Sequence, residues 1–132
     1  MHHRPTLRTR VVACAAALLV AAVPACKSST GSDGYPATIH SCETNTATLC
    51  TDWKRQGQPG HYVADWPQGS HAEIMVATFE KNSVAFIRDD PSGTSAGMHA
   101  VYSGPRTGTA VNGTVTWTHN GQTFSGTWTA TW

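Results

Sequence analysis

The sequence predicts an all-β domain: a small antiparallel up-and-down meander that closes as a barrel or a sandwich, after a signal peptide. Three observations carry this. The C-terminal run alternates around Asn120-Gly121, the dipeptide that best accepts positive φ at both centres of a type I′ turn, so a hairpin of fixed register is expected. Upstream, apolar runs recur between short breaks rich in Gly, Pro, Asn and Ser, and short links make successive strands antiparallel neighbours. Strands with one apolar face must then curl or fold over to cover it.

At the N-terminus, Arg4, Arg8 and Arg10 precede an apolar run from Val11 to Val23 that is too short to span a bilayer and has the order of a secretory signal. It ends in Val23-Pro24-Ala25-Cys26, which resembles the lipobox of bacterial lipoproteins, in which Cys26 becomes the lipid-bearing first residue. Ordinary signal-peptidase cleavage after Ala25 is the alternative, since Val23 and Ala25 suit it too. The expected organisation is a signal peptide over 1–25, the lipidated Cys26 with a flexible tether over 26–34, and a disulfide-stapled β domain over 35–132. The tether, from Lys27 to Gly34, offers nothing apolar to bury. The resemblance implies export to the cell envelope, outer membrane or periplasm, with the membrane as a partner through the lipid anchor.

The whole-chain charge of +1 overstates the domain's basicity, because three of the nine basic residues lie in the signal. Lys27, Lys54, Arg55, Lys81, Arg88 and Arg106 then face eight acidic residues, and no cationic stripe exists to displace counterions from a nucleic acid. Nucleic acid is excluded as a partner.

Cys42 and Cys50 remain once Cys14 leaves with the signal and Cys26 takes lipid, and in an exported chain they are expected to form a disulfide. A metal site from His40, Cys42, Cys50 and His61 competes with that pairing but lacks the paired spacings of structural zinc sites. Between 38 and 58 large apolar residues are sparse, which predicts an irregular stapled segment with a short helical turn around 47–53. Strands are expected over 61–66, 72–79, 83–89, 96–103, 109–119 and 122–132. Ile74 to Ala77 and Val84 to Ile87 are apolar at every position, which predicts central strands covered on both faces, with a ligand-facing wall as the alternative. Asn112-Gly113 predicts a bulge within one long strand.

In the terminal hairpin, Val115, Trp117, Phe124, Trp128, Ala130 and Trp132 share one face, and the threonines share the other. Gly93-Thr94-Ser95-Ala96-Gly97 matches the nucleophile-elbow pattern, yet no helix follows Ser95 and every acidic residue lies at Asp90 or earlier. Asp89-Asp90-Pro91 reads as a turn, with Asp90 its former. Five histidines beyond the signal, His40, His61, His71, His99 and His119, show no i, i+2 or i, i+4 pair, so no metal site and no cofactor is assigned.

The strand meander and endings such as Gly126-Thr127-Trp128 resemble small envelope β-barrel lipoproteins, including inhibitors of host lysozyme. The sequence therefore leads to a non-enzymatic, lipid-anchored binding module with a protein partner or a small ligand. Its expected contacts lie in loops 67–70, 90–94 and 104–108, with Arg106, Trp117, Trp128 and Trp132 as candidate binding residues. The alternatives are a small secreted hydrolase or metal-binding protein, and a structural envelope lipoprotein.

Overall fold

The structure, a computed structural model, describes residues 34–132; the expected signal peptide, Cys26 and the expected tether as far as residue 33 lie outside the described residues. Eight strands follow one another: β1 (Thr38–Thr44), β2 (Thr48–Arg55), β3 (His61–Asp65), β4 (Ser70–Phe79), β5 (Ser83–Gly93), β6 (His99–Thr107), β7 (Ala110–His119) and β8 (Gln122–Thr131). Each pairs antiparallel with its sequence neighbour, and β1 also pairs β8, so the meander is a closed barrel. The β7–β8 turn is as expected, with φ of 51° at Asn120 and 75° at Gly121, and it sets His119 opposite Gln122 and Trp117 opposite Phe124.

Four local expectations are corrected. The stretch from 38 to 58 is no irregular coil with a helical turn but the β1–β2 hairpin, with Cys42 directly opposite Cys50 and bonded to it. On β1 the inward residues are Ile39, Ser41 and Glu43, and two of those three are polar, which hides the period of two. The middle pair is covered on one face only: Ile74, Val84 and Phe86 are buried, while Met75 and Ile87 are 44% and 37% exposed. A barrel has a single core, and among the described residues no second layer covers its outer wall. Asn112-Gly113 forms no bulge, because the β7–β8 ladder runs unbroken from Ala110 to His119. Gly113 serves close approach instead, since a Cβ there would overlap the Ser103 carbonyl oxygen. The register shifts sit in the β4–β5 ladder, between His71 and Glu73, where β5 carries the extra residue, and between Val76 and Thr78, where β4 does. Finally, Asp90 forms no turn: β5 runs through it to Gly93, the turn falls after that, and the next strand starts at His99 rather than at 96.

The middle of the barrel is solid. Trp53 and Trp128 stack at 5.9 Å with ring planes 10° apart, and Phe86 and Tyr102 meet Trp53 edge-on at 5.3 and 5.0 Å. Such contacts contribute about 0.5–1.5 kcal/mol each beyond burial. Ile39, Ile74, Val84 and Val115 fill what remains. The eight strands of the described residues close on themselves around this core, so residues 34–132 form a self-contained folding unit. The outer wall carries Asp52, Lys54, Glu73 and Asp89, all exposed, and so lacks the apolar band of a membrane-spanning barrel. No helix of the described residues is long and apolar enough to cross a membrane.

Winding up and down places the loops 45–47, 66–69, 94–98 and 120–121 at one end, the mouth. The loops 56–60, 80–82 and 108–109 lie at the other, the base, where Tyr35 packs against Phe79 at 5.4 Å.

Candidate functional site

The inward face of β5 reads Val84, Phe86, Arg88, Asp90. The period of two that sends the first pair into the aromatic core carries a cation and a carboxylate into the barrel just above it. β1 does the same with Glu43, two positions beyond Ser41. Three charged side chains thus meet inside the mouth, with Glu43, Arg88 and Asp90 only 6%, 1% and 2% exposed.

Their geometry is specific. Arg88 Nε donates to Asp90 Oδ1 at 2.6 Å and Nη2 to Oδ2 at 2.7 Å, a planar fork. Its Nη1 donates to Glu43 Oε1 at 3.2 Å and to Tyr102 Oη at 3.1 Å, while the guanidinium lies 3.8 Å over the Trp66 ring. Arg88 is thereby committed as an internal counter-ion and is poorly placed to receive a ligand's anion. Tyr102 Oη donates to Glu43 Oε1, and Trp117 Nε1 donates to Glu43 Oε2 at 3.2 Å.

The protonation balance follows from burial. Removal from water pushes the Glu43 carboxyl above its usual range, and the Arg88 charge and the Tyr102 and Trp117 hydrogen bonds offset this only in part. Burial and then the Glu43 charge push the Tyr102 phenol well above its ordinary value. Burial acts against the Arg88 cation too, but the Asp90 hydrogen bonds prevail and hold its pKa above normal. Two carboxylates share one guanidinium, a surplus negative charge that a proton or a cation must meet.

Above this floor a cavity of about 300 Å³ opens between the β1–β2 and β7–β8 hairpins. Leu49, Met98, Trp117 and Phe124 form its apolar walls, Glu43 and Arg88 reach its floor, and Gln68 and His119 stand at its rim. Leu49 and Phe124 are 40% and 45% exposed. Gly126 makes room for the Trp117 indole, whose atoms would lie 2.7 and 2.9 Å from a Cβ at that position. An apolar slot ending on a few convergent polar groups is the form of a small-ligand site.

Of the sequence candidates, the structure brings Trp117 to this cavity and disperses the others. Trp128 has no exposed surface; it stacks in the core and donates Nε1 to Ser41 Oγ at 2.9 Å. Arg106 and Trp132 are at the base, where the guanidinium lies 4.6 Å over Phe79 and 5.0 Å over Trp132 and donates to the Gly108 and Glu80 carbonyls. Among the three expected contact loops, 67–70 and 90–94 reach the mouth and 104–108 the base. The Ser95 hydroxyl donates to Asp90 Oδ2 and meets no histidine, and His119 Nε2 donates to the Ala96 carbonyl at 3.1 Å. Sequence reasoning passed over Glu43, Arg88 and Tyr102. The alternation Val84-Phe86-Arg88-Asp90 was the signal that could have found Arg88 and Asp90. Compared with known proteins, the chain matches no family model, no curated protein and no solved structure.

Proposed function

We propose that this chain is an exported, lipid-anchored and non-enzymatic binding module of the cell envelope. Its mouth cavity takes a small ligand, or one side chain of a protein partner, that joins an apolar body to a cationic or strongly hydrogen-bond-donating group. The observation that carries this is the Glu43 carboxylate on the floor of an aromatic-walled cavity, beside a guanidinium already committed to Asp90. Burial pushes the Glu43 carboxyl toward holding a proton; a bound ammonium or guanidinium competes with that proton while its apolar body packs on Trp117 and Phe124. The position of the tether supports the reading. Residue 35 enters at the base, so an anchor ahead of it holds the mouth away from the membrane.

The test is an NMR titration of the 34–132 domain with three probes of one shape: an arylalkylamine, the matching carboxylate and the matching neutral amide. The amine should shift the indole and amide signals of Trp117, Phe124 and His119, and do so more strongly as pH rises and Glu43 sheds its proton. The carboxylate should not. Trp117→Ala should abolish the response and Arg106→Ala should leave it intact. Shifts confined to the base, or equal responses to amine and carboxylate, would sink the reading.

A further inference from the structure

Register places four side chains in a square on the outer wall of the β1–β2 hairpin. Cys42 stands opposite Cys50, and His40 opposite Asp52, one outward position away along both strands. We propose that this square is a redox-gated site for a thiophilic metal ion of the Zn²⁺ or Cu⁺ class, with Cys42, Cys50 and His40 as ligands once the disulfide is reduced.

The His40 ring is already set for the task. Asp52 Oδ1 lies 2.8 Å from Nδ1 and Cys42 Sγ lies 3.8 Å from Nε2. A carboxylate at Nδ1 fixes the proton there, leaving the Nε2 lone pair directed at the sulfurs, which is how carboxylates orient metal-binding histidines. Tetrahedral zinc with Zn–S of about 2.3 Å and Zn–N of about 2.0–2.1 Å sets S and N about 3.6 Å apart, so the nitrogen needs little movement. The ligand-bearing atoms of His40, Cys42 and Cys50 all lie within 4.8 Å of one another. The sulfurs must part to about 3.8 Å, a spacing that this directly opposed pair, with Cα atoms 4.1 Å apart, can reach by side-chain rotation. His40 and Asp52 are 57% and 52% exposed, so the fourth position opens to solvent.

The exterior supplies its own comparison. His71 pairs with Asp65 at 2.6 Å and His99 with Asp89 at 2.8 Å in the same cross-strand manner, which for exposed pairs contributes little stability. Neither has a cysteine on the facing positions of its strand pair; His40 does. His61 stands apart from the square, 3.4 Å from Glu73. A dithiol reductant supplies two electrons and two protons, the S–S bond breaks to two thiols, and the reductant leaves as its own disulfide. Metal binding then forms two metal–sulfur bonds and one metal–nitrogen bond and releases the two thiol protons. Exchange with a disulfide oxidant reverses the sequence: the two thiolates give two electrons to that disulfide, the Cys42–Cys50 bond re-forms, the oxidant leaves as its dithiol, and the ion is released.

Co²⁺ is the probe, added to the 34–132 domain, which carries no other cysteine, before and after reduction by a phosphine. Reduced protein should give thiolate-to-cobalt charge transfer and tetrahedral visible bands that saturate at one equivalent and vanish on adding Zn²⁺; oxidised protein should give neither. His40→Ala should weaken binding at least about 10-fold and Asp52→Asn about 10- to 100-fold, the usual effect of losing an orienting carboxylate. His71→Ala should change nothing. If reduction alone loosens the barrel, Zn²⁺ should restore its near-ultraviolet circular dichroism. Absent cobalt bands without such rescue, equal binding by oxidised protein, or a His40→Ala titration like that of the parent would each overturn the proposal.

Discussion

Replacing Arg88 with Met keeps the side chain's bulk and removes its charge. Asp90 then loses both arms of its fork, at 2.6 and 2.7 Å, Glu43 loses its one cationic partner among the described residues, and Trp66 loses the guanidinium stacked 3.8 Å above it. Because Asp90 is 2% exposed and Glu43 6%, water from the cavity replaces the lost cation only in part. Breaking a buried ion pair by removing one partner costs about 3–5 kcal/mol. For a domain of this size that is a fall in Tm of about 12–25 °C, at roughly 4–5 °C per kcal/mol. The deficit should depend on pH with a definite sign. A buried carboxylate without its cation holds a proton more tightly when folded than unfolded, so the variant gains relative to the parent as pH falls and loses as it rises. Urea melts at pH 5 and pH 8 measure both effects, and the triple variant Glu43→Gln, Arg88→Met, Asp90→Asn should recover most of the loss by leaving no charge unpaired. A loss under about 1 kcal/mol at pH 8, or a deficit that does not shrink at pH 5, would refute the assignment of Arg88 as the counter-ion of the mouth.

Glu43→Gln alone should stabilise at alkaline pH. The folded-state pKa of Glu43 stands above its ordinary 4.5, so its contribution to stability is full below that value and lost as pH rises through the folded value. Parent stability should therefore decline over that window and the variant's should decline less, as denaturant midpoints would show; equal slopes would count against a proton on Glu43. Opening Cys42–Cys50 frees a loop of sequence separation 8 and should cost about 2.5 kcal/mol by chain entropy, read as the midpoint difference between oxidised and reduced domain. Gly126→Ala forces a methyl toward the Trp117 ring and the Thr44 carbonyl, and should cost about 1–3 kcal/mol while blue- or red-shifting the Trp117 emission. An unchanged spectrum would mean that Gly126 does not make room for the indole.

Where a segment obeyed one period throughout, the sequence was transparent. Asn120-Gly121 announced its turn, and the apolar and threonine faces beside it lie inside and outside the barrel from Val111 to Trp117 and again from Trp128 to Ala130. Phe124 is the instructive exception. It belongs to the apolar face by register but stands above the core at the mouth, so it is exposed and lines the cavity. β1 and β2 were opaque because Ser41 and Glu43 occupy inward positions that sequence reasoning reserves for apolar residues. The side chain that concealed the strand is the one on the floor of the cavity. Asp90 misled for a related reason: Asp before Pro is a strong turn signal, and its tertiary partner Arg88, two residues away on the same face, outweighs it. The assembly of Glu43 with Arg88 and Tyr102 could not be read from local pattern at all, since those pairs are 45 and 59 residues apart.

Seven of the eight strand pairings join consecutive strands and close only short stretches of chain. The eighth, the seam of β1 and β8, brings Ser41 to Ala130 and must order nearly the whole domain to do so. Loop-closure entropy therefore falls almost entirely on one event, and the ring should be completed last, by the strands that were made first and last. Cys42 sits on that seam, opposite Thr129, and its disulfide holds β1 against β2 while the gap is still open. Stopped-flow refolding should accordingly slow when the disulfide is absent, and an unchanged rate would place closure before the rate-limiting step. In such a ring the order of synthesis and the order of neighbourhood disagree at a single joint, and that joint sets the pace of folding.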